Sequence, residues 1–317
     1  MANNILIGPA GWSYPDWNGV VYPTKQEKEF DPLAFIAFYF NLIEINSTFY
    51  RIPSPAMTRR WVKRVEGNPD FLFTAKAFRN FTHEKKQLSR TEVDGFMKAL
   101  SPIHDEGKLG FILIQFPWSL RCTREAKSLV GRLIKALSPF PVAVEVRHGS
   151  WAQREAIEFI KDAGATLCSI DQPLIGDSLS PRTSWAGSSG AYFRLHGRNA
   201  SKWFDRDATR DERYDYLYSK NEISSWAETI SKTAKTASRT FVVLNNHFRG
   251  QAVTNAIELE AAISNTNVKV PLMLLRAFPH LEQIAEPPVE ETPGSSSPRI
   301  QGDLFGEESA SREDKNE

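Results

Sequence analysis

Short and almost uninterrupted apolar runs recur along the chain, separated by stretches in which apolar residues return every three or four positions. The runs cover residues 5–9, 42–46, 71–75, 111–116, 142–146, 166–170, 191–196 and 240–245. A run of this length without alternation is the pattern of a parallel strand buried on both faces. The intervening stretches predict helices near 31–39, 55–65, 92–100, 123–137, 223–237 and 252–263. The clearest is 123–137, where Ala126, Leu129, Val130, Leu133, Ile134 and Leu137 form one stripe and Thr123 stands at the N-cap position. A further helix is expected from Ser150, with Ser150 and Gln153 spaced as a capping box.

Strand followed by helix, eight times over, predicts βαβ units and a parallel sheet, which right-handed crossovers close into a barrel. The expected fold is therefore a (β/α)8 TIM-type barrel with a parallel eight-stranded core over residues 1–285; a doubly wound open sheet is the alternative. The 317 residues suit a barrel, which takes ~250. The connection 171–190 is rich in Gly, Pro and Ser and reads as a long loop on the working face. Residues 286–317 change character: Pro, Ser and acidic residues dominate, and the tail is expected to be disordered.

Composition adds limits. No apolar run is long enough to span a membrane and the N-terminus lacks the features of a signal peptide, so a cytoplasmic protein is expected. Cys122 and Cys168 form no framework and fit reduced, packed thiols. The net charge of +1 hides an asymmetry. The tail holds nine acidic and three basic residues, leaving 36 basic against 29 acidic in the body, or +7. So mild an excess attracts phosphates only weakly.

In a barrel, chemistry belongs to polar residues at the C-terminal ends of the strands. Candidate acid–base residues at those positions are Glu44, Glu145, His148, Asp171, His196 and His247. Candidate ligand-binding residues are Trp12, Tyr14, Asn46, Tyr50, Lys76, Gln115, Arg147, Trp151, Arg194, Arg198, Asn245 and Asn246. Period two places Glu145 with Arg147, and Arg194 with His196, on common faces. Unpaired buried charge is costly, so these groups are expected to share one cavity or to form a structural plug.

The stretches GWSYPDW (11–17), EINSTFYR (44–51), AKAFRNFTH (75–83), QFPWS (115–119), EVRHGSW (145–151), YFRLHGRN (192–199) and NNHFRGQAVTNA (245–256) resemble the YecE-like family, the domain of unknown function 72. The resemblance runs over residues 4–265. It implies a TIM-type barrel and supplies no substrate.

Three chemistries stay open on the residues. Glu145, Asp171, His196 and His247 are a candidate set for zinc or manganese in metal-assisted hydrolysis. Arg147, Arg194, Arg198, Lys76, His148 and His196 suit metal-free recognition of a phosphate or carboxylate, with Glu44 or Glu145 as general base. A non-catalytic binding protein is the third. In the tail, Gln301, Leu304 and Phe305 resemble the bacterial sliding-clamp-binding pentapeptide, with Gly302 in place of its usual leucine. That motif, the basic body and the polar rim lead to an expected role in DNA repair or processing, acting on a nucleotide or phosphodiester. The rival is an enzyme for a sugar or phosphorylated metabolite.

Overall fold

The computed structural model describes residues 4–84, 88–180, 186–187, 189–203, 205 and 207–287. Ten strands are present among them: β1 (Ile5–Pro9), β2 (Leu42–Ile45), β3 (Leu72–Lys76), β4 (Leu109–Gln115), β5 (Val142–Glu145), β6 (Thr166–Leu167), β7 (Ser169–Asp171), β8 (Ala186–Gly187), β9 (Gly190–Leu195) and β10 (Thr240–Leu244). Each apolar run read from the sequence recurs within two residues at either end. The sixth is split at Cys168 into β6 and β7.

The strands form two sheets. One runs β1-β10-β9-β7, all parallel, with β8 antiparallel on the start of β9. The other runs β2-β3-β4-β5-β6, again parallel throughout. The sheets approach at two places. Ala10, just past β1, bridges Glu44 of β2, and the Gly11 amide donates to the Glu44 carbonyl at 2.9 Å. At the other place a single residue separates β6 from β7, and the Cys168 amide donates to the Val144 carbonyl at 2.8 Å. Gly8 shows how close the first approach is. A methyl group there would lie 1.8 Å from the Leu42 carbonyl oxygen, so only hydrogen fits.

Helices follow the strands and cover their outer faces. Asp31 caps Pro32–Tyr39 by accepting from the Leu33 and Ala34 amides. Thr123 caps Arg124–Leu137 through the Ala126 amide, and that helix buries Ala126, Val130, Leu133, Ile134 and Leu137, the predicted stripe. Ser219 and Glu222 make a reciprocal capping box on Lys220–Ala234. The box predicted at Ser150 and Gln153 is absent. Gly149–Ala152 is a 3-10 turn, and the helix Arg154–Asp162 starts after Gln153 with no side-chain cap. Ser150 Oγ is engaged elsewhere: it accepts from the Cys122 amide at 2.8 Å and contacts His148 Nδ1 at 2.9 Å.

Strand register stacks the enclosed side chains in layers. Phe111, Tyr192 and Phe241 pack edge-on or stacked with ring centroids 5.0–6.2 Å apart. One step along each strand toward its C-terminus the apolar layer gives way to polar groups: Glu44 in register with Thr74, Gln115 with Glu145, and Arg194 two residues beyond Tyr192. The predicted loop 171–190 contains no helix among its described residues. Its first half lies along the chain after β5, with Leu179 donating to the Arg147 carbonyl at 2.8 Å and Gly149 to the Asp177 carbonyl at 2.6 Å. Among the described residues no helix is long and apolar enough to cross a membrane. The tail beyond residue 287, with Gln301, Leu304 and Phe305, lies outside the described residues.

Candidate functional site

Arg194 organises the polar layer. It is 1% exposed, a severe desolvation for a guanidinium unless carboxylates surround it. Its Nη2 donates to Glu44 Oε1 at 2.7 Å and its Nη1 to Glu145 Oε2 at 2.5 Å, with Gln115 Oε1 at 3.3 Å. Both carboxylates are wholly buried. Glu44 Oε2 accepts from the Tyr192 hydroxyl at 2.9 Å, which also lies 2.8 Å from Thr74 Oγ1. Glu145 Oε1 accepts from Arg147 Nε at 2.9 Å and meets His196 Nε2 at 3.2 Å. All four carboxylate oxygens are thus engaged. Burial, the largest single influence, works against the Glu145 charge, but Arg194, His196 and Arg147 together outweigh it, and its carboxyl is held well below the usual range.

His196 is the neutral member. Burial pushes it down to about 3, with Arg194 and Arg147 helping and Glu145 opposing. Asn245 Nδ2 stands 3.0 Å from His196 Nδ1, so the amide donates to Nδ1, and the ring proton sits on Nε2, facing Glu145. Two arginines and two carboxylates therefore balance.

Above this floor opens a cavity of about 100 Å³, lined by Tyr14, Asn46, Tyr50, Lys76, Arg194, Tyr214, Asn245 and His247. Lys76 ends β3 two residues beyond Thr74, and its carbonyl accepts from Thr48 Oγ1 at 2.7 Å, which fixes the backbone there. Among the described residues its Nζ makes neither a hydrogen bond nor a salt bridge; it lies 4.0 Å from the centre of the Phe49 ring. Burial lowers its pKa to about 7, with Arg194 and Arg147 contributing and Glu44 and Glu145 opposing. The same positive surroundings act on His83, which burial, then Lys76 and Arg147, pull down to about 4. Among the described residues Arg147 Nη2 is a buried donor without an acceptor. Tyr14 stacks on His247 with centroids 4.5 Å apart, and Tyr214 lies 5.3 Å from the same imidazole.

The structure therefore brings together Tyr14, Glu44, Asn46, Tyr50, Lys76, Gln115, Glu145, Arg147, Arg194, His196, Asn245 and His247, from both sheets. It sends the other candidates elsewhere. Asp171 binds Arg198 through both oxygens at 3.0 and 2.8 Å, and Arg198 reaches Glu222 on the helix layer at 2.7 Å. The cause is register: Ile170 pairs with the inward Arg194, so Asp171 faces the opposite side. Burial raises the Asp171 pKa, with Arg198 opposing. His148 alternates away from Arg147 in the same manner, accepts from the Ser150 amide at 3.1 Å and packs on Trp118. Asn246 donates to the Tyr216 carbonyl and to Asn255 Oδ1, both at 2.8 Å. Trp151 is fully buried and donates to the Leu120 carbonyl at 2.9 Å, while Trp12 packs edge-on against Trp61.

These placements correct the candidate metal set. Glu145 and His196 are neighbours, but Asp171 is turned to the helices and His247 is stacked on Tyr14 across the cavity. Among the described residues no three His, Cys, Asp or Glu side chains are grouped to hold one cation. Sequence reasoning missed Tyr192, Thr74, Phe49 as partner of Lys76, and Tyr214. Tyr192 and Thr74 carried a usable signal, lying two residues before Arg194 and Lys76 on the same strand faces. Tyr214 sits far from any strand and carried none.

Known proteins resemble this chain over 45–84% of its length. It is 28% identical over 268 residues to the UPF0759 protein YunF of Bacillus subtilis, covering 80% of this chain and 93% of that protein. The UPF0759 protein YecE of Escherichia coli K12 is 29% identical over 145 residues, 45% of this chain and 48% of YecE. The crystal structure of a DUF72 family protein from Thermotoga maritima matches with a TM-score of 0.72 and 31% identity, over 83% of this chain and all of that one. One from Enterococcus faecalis matches with a TM-score of 0.70 and 25% identity, over 84% and 98%. The model of the family described as "Protein of unknown function DUF72" matches residues 6–280, spanning both sheets and every residue of the cavity, and the chain belongs to that family.

Proposed function

We propose that the two sheets close on one another as a (β/α)8 barrel and that the cavity at its C-terminal face binds a small anionic organic molecule, a carboxylate or a phosphate. Closure is supported by the Ala10–Glu44 bridge at one junction and the one-residue gap at Cys168 at the other. The binding reading is carried by one observation: Lys76 lines the cavity with no counter-charge left for it among the described residues, above a floor whose charges already balance, so that a bound anion favours its protonated form. An anionic ligand would supply the missing counter-charge, and the orphan donor on Arg147 adds to the same demand. Glu44 and Glu145, with every oxygen engaged, then serve to position Arg194 and His196 and are poorly placed to accept a proton from a substrate. A volume of about 100 Å³ favours a metabolite-sized group over a nucleic-acid strand, so the small-molecule reading is preferred to phosphodiester processing.

Thermal unfolding of the wild type and of Lys76→Met in acetate, in phosphate and in chloride of equal ionic strength tests this. The wild type gains stability from acetate or phosphate as RT ln(1 + [L]/Kd), about 2.7 kcal/mol at one hundred times Kd, and the variant gains none. Equal shifts in both proteins overturn the reading. The tail supports a partner proposal of its own: with residues 286–317 as a separate segment, Gln301, Leu304 and Phe305 dock on the DNA sliding clamp. Clamp binding by the full-length protein, lost in the Leu304→Ala/Phe305→Ala variant, is the expected result; no binding by either removes the proposal.

A further inference from the structure

A lysine at the end of an inward-facing strand ordinarily finds a carboxylate. Lys76 has two within its field, Glu44 and Glu145, yet Arg194 occupies both, and no salt bridge to Lys76 forms. Among the described residues its Nζ rests on the face of Phe49, which gives the amine no hydrogen-bond acceptor. The surroundings that bear on its charge are Arg194, Arg147, Glu44 and Glu145, and His83 stands on the same side in its neutral form. Those two arginines and two carboxylates cancel, so the floor neither demands nor compensates a charge on Nζ. An amine so placed is substantially neutral near pH 7, while an exposed lysine is almost wholly protonated there. Nucleophilic lysines are made in this manner, by desolvation and by nearby cations.

The pocket also limits what such an amine would attack. An imine formed on Nζ is protonated and positive, and the floor has no carboxylate free to balance it. The balancing anion must therefore come with the substrate, close to the reacting carbon. We propose that Lys76 Nζ forms an imine with the carbonyl carbon of a small 2-oxo acid bound in this cavity, so that the chain activates carbonyl compounds through a covalent intermediate. The inference rests on the anionic-ligand reading above and names its substrate class. The neutral amine adds its lone pair to the carbonyl carbon, forming a C–N bond and a carbinolamine. Its hydroxyl then takes a proton, from solvent or from the His247 or Tyr214 side chains lining the cavity, and leaves as water as the C=N bond forms. No atom changes oxidation level, and the iminium charge is met by the carboxylate on the adjacent carbon. The iminium acidifies the C–H bonds on its other side, at C3, so that a proton leaves there as the electron pair moves into an enamine, which is what carbon–carbon bond formation or proton exchange at such substrates requires.

The test is reductive trapping of full-length protein at pH 7 with pyruvate and borohydride, followed by peptide mass spectrometry, with Lys76→Arg as the charge-conserving control. The expected result is a pyruvate-derived adduct on Lys76 at least ~10-fold above that on any exposed lysine, following the difference in neutral fraction. The Lys76→Arg protein, checked for folding by circular dichroism, forms no adduct above the surface background. Adduct scattered over exposed lysines, or unchanged in Lys76→Arg, overturns the proposal. Acetate in place of pyruvate separates the two levels. Stabilisation by acetate without an adduct from pyruvate overturns imine formation and leaves the anionic site standing. Failure of both acetate and pyruvate to bind overturns the site reading and the imine with it.

Discussion

Replacing Arg194 with methionine removes a guanidinium and leaves Glu44 and Glu145 buried beside an apolar chain of similar length. Taking one partner from a buried ion pair costs about 3–5 kcal/mol, because the remaining charge keeps its desolvation penalty without its compensation. Arg194 serves two carboxylates, so the cost should fall at the top of that range, about 5 kcal/mol. A domain holds about 5–15 kcal/mol in all, so the loss is a large fraction of the total. With a urea slope of about 3 kcal/mol per molar for a chain of this size, the unfolding midpoint should fall by about 1–2 M. Tryptophan fluorescence in urea at pH 7.5 reads it. The triple variant Arg194→Met, Glu44→Gln, Glu145→Gln carries no buried charge and should recover much of the loss. In the single variant Glu145 loses the Arg194 charge, and burial then carries its carboxyl pKa above the unfolded value. Carboxyls of that kind favour the folded state at low pH and lose that contribution as pH rises, so the deficit should be smaller at pH 5 than at pH 8. A single variant within about 1 kcal/mol of wild type at pH 7.5 would refute the view that electrostatic pairing organises this layer.

His196 is held neutral by burial, with a pKa of about 3 against an unfolded value of about 6.5. Its contribution is therefore present above pH 6.5 and is lost as pH falls through that value toward 3. Between pH 4.5 and 5.5 wild-type stability should fall more steeply than that of His196→Gln by about 1.4 kcal/mol per pH unit, and parallel curves in urea titrations would contradict this. Long-range proton–nitrogen correlation spectra at pH 6 should find the proton on Nε2; a signal from the doubly protonated ring would contradict the assignment. Gly8→Ala forces a methyl group onto the Leu42 carbonyl, and at about 3 kcal/mol for overpacking against backbone it should lower Tm by about 6–12 °C in calorimetry; an unchanged Tm would mean that β1 and β2 are not held this close.

The strands were legible because enclosure on both faces leaves an apolar run that no helix period imitates over so few residues. The cap at Thr123 was legible for a local reason, its side chain reaching its own helix start. Ser150 misled because its hydroxyl is used by a distant amide, that of Cys122, which spacing along the chain does not reveal. The site was legible where alternation within one strand decided the face, as for Glu145 with Arg147 and Arg194 with His196. It failed where pairing between strands decided it. Asp171 ends its strand as a catalytic residue would, yet the register Ile170 with Arg194 turns it to the helices. His148 and Asn246 fall on the far side by the same alternation that selects Arg147 and Asn245. Tyr214 enters the cavity from a segment with no strand at all, and its position depends on tertiary packing alone.

The claim on which the functional account depends is that Lys76 is an uncompensated amine above a charge-balanced floor. NMR titration of the wild-type protein carrying 13C-labelled lysine, with Lys76→Arg to assign the signal, measures it directly. The account predicts a side-chain pKa of about 7 in the free protein, moving upward when acetate fills the cavity. A value near 10.4, unmoved by acetate, would contradict it.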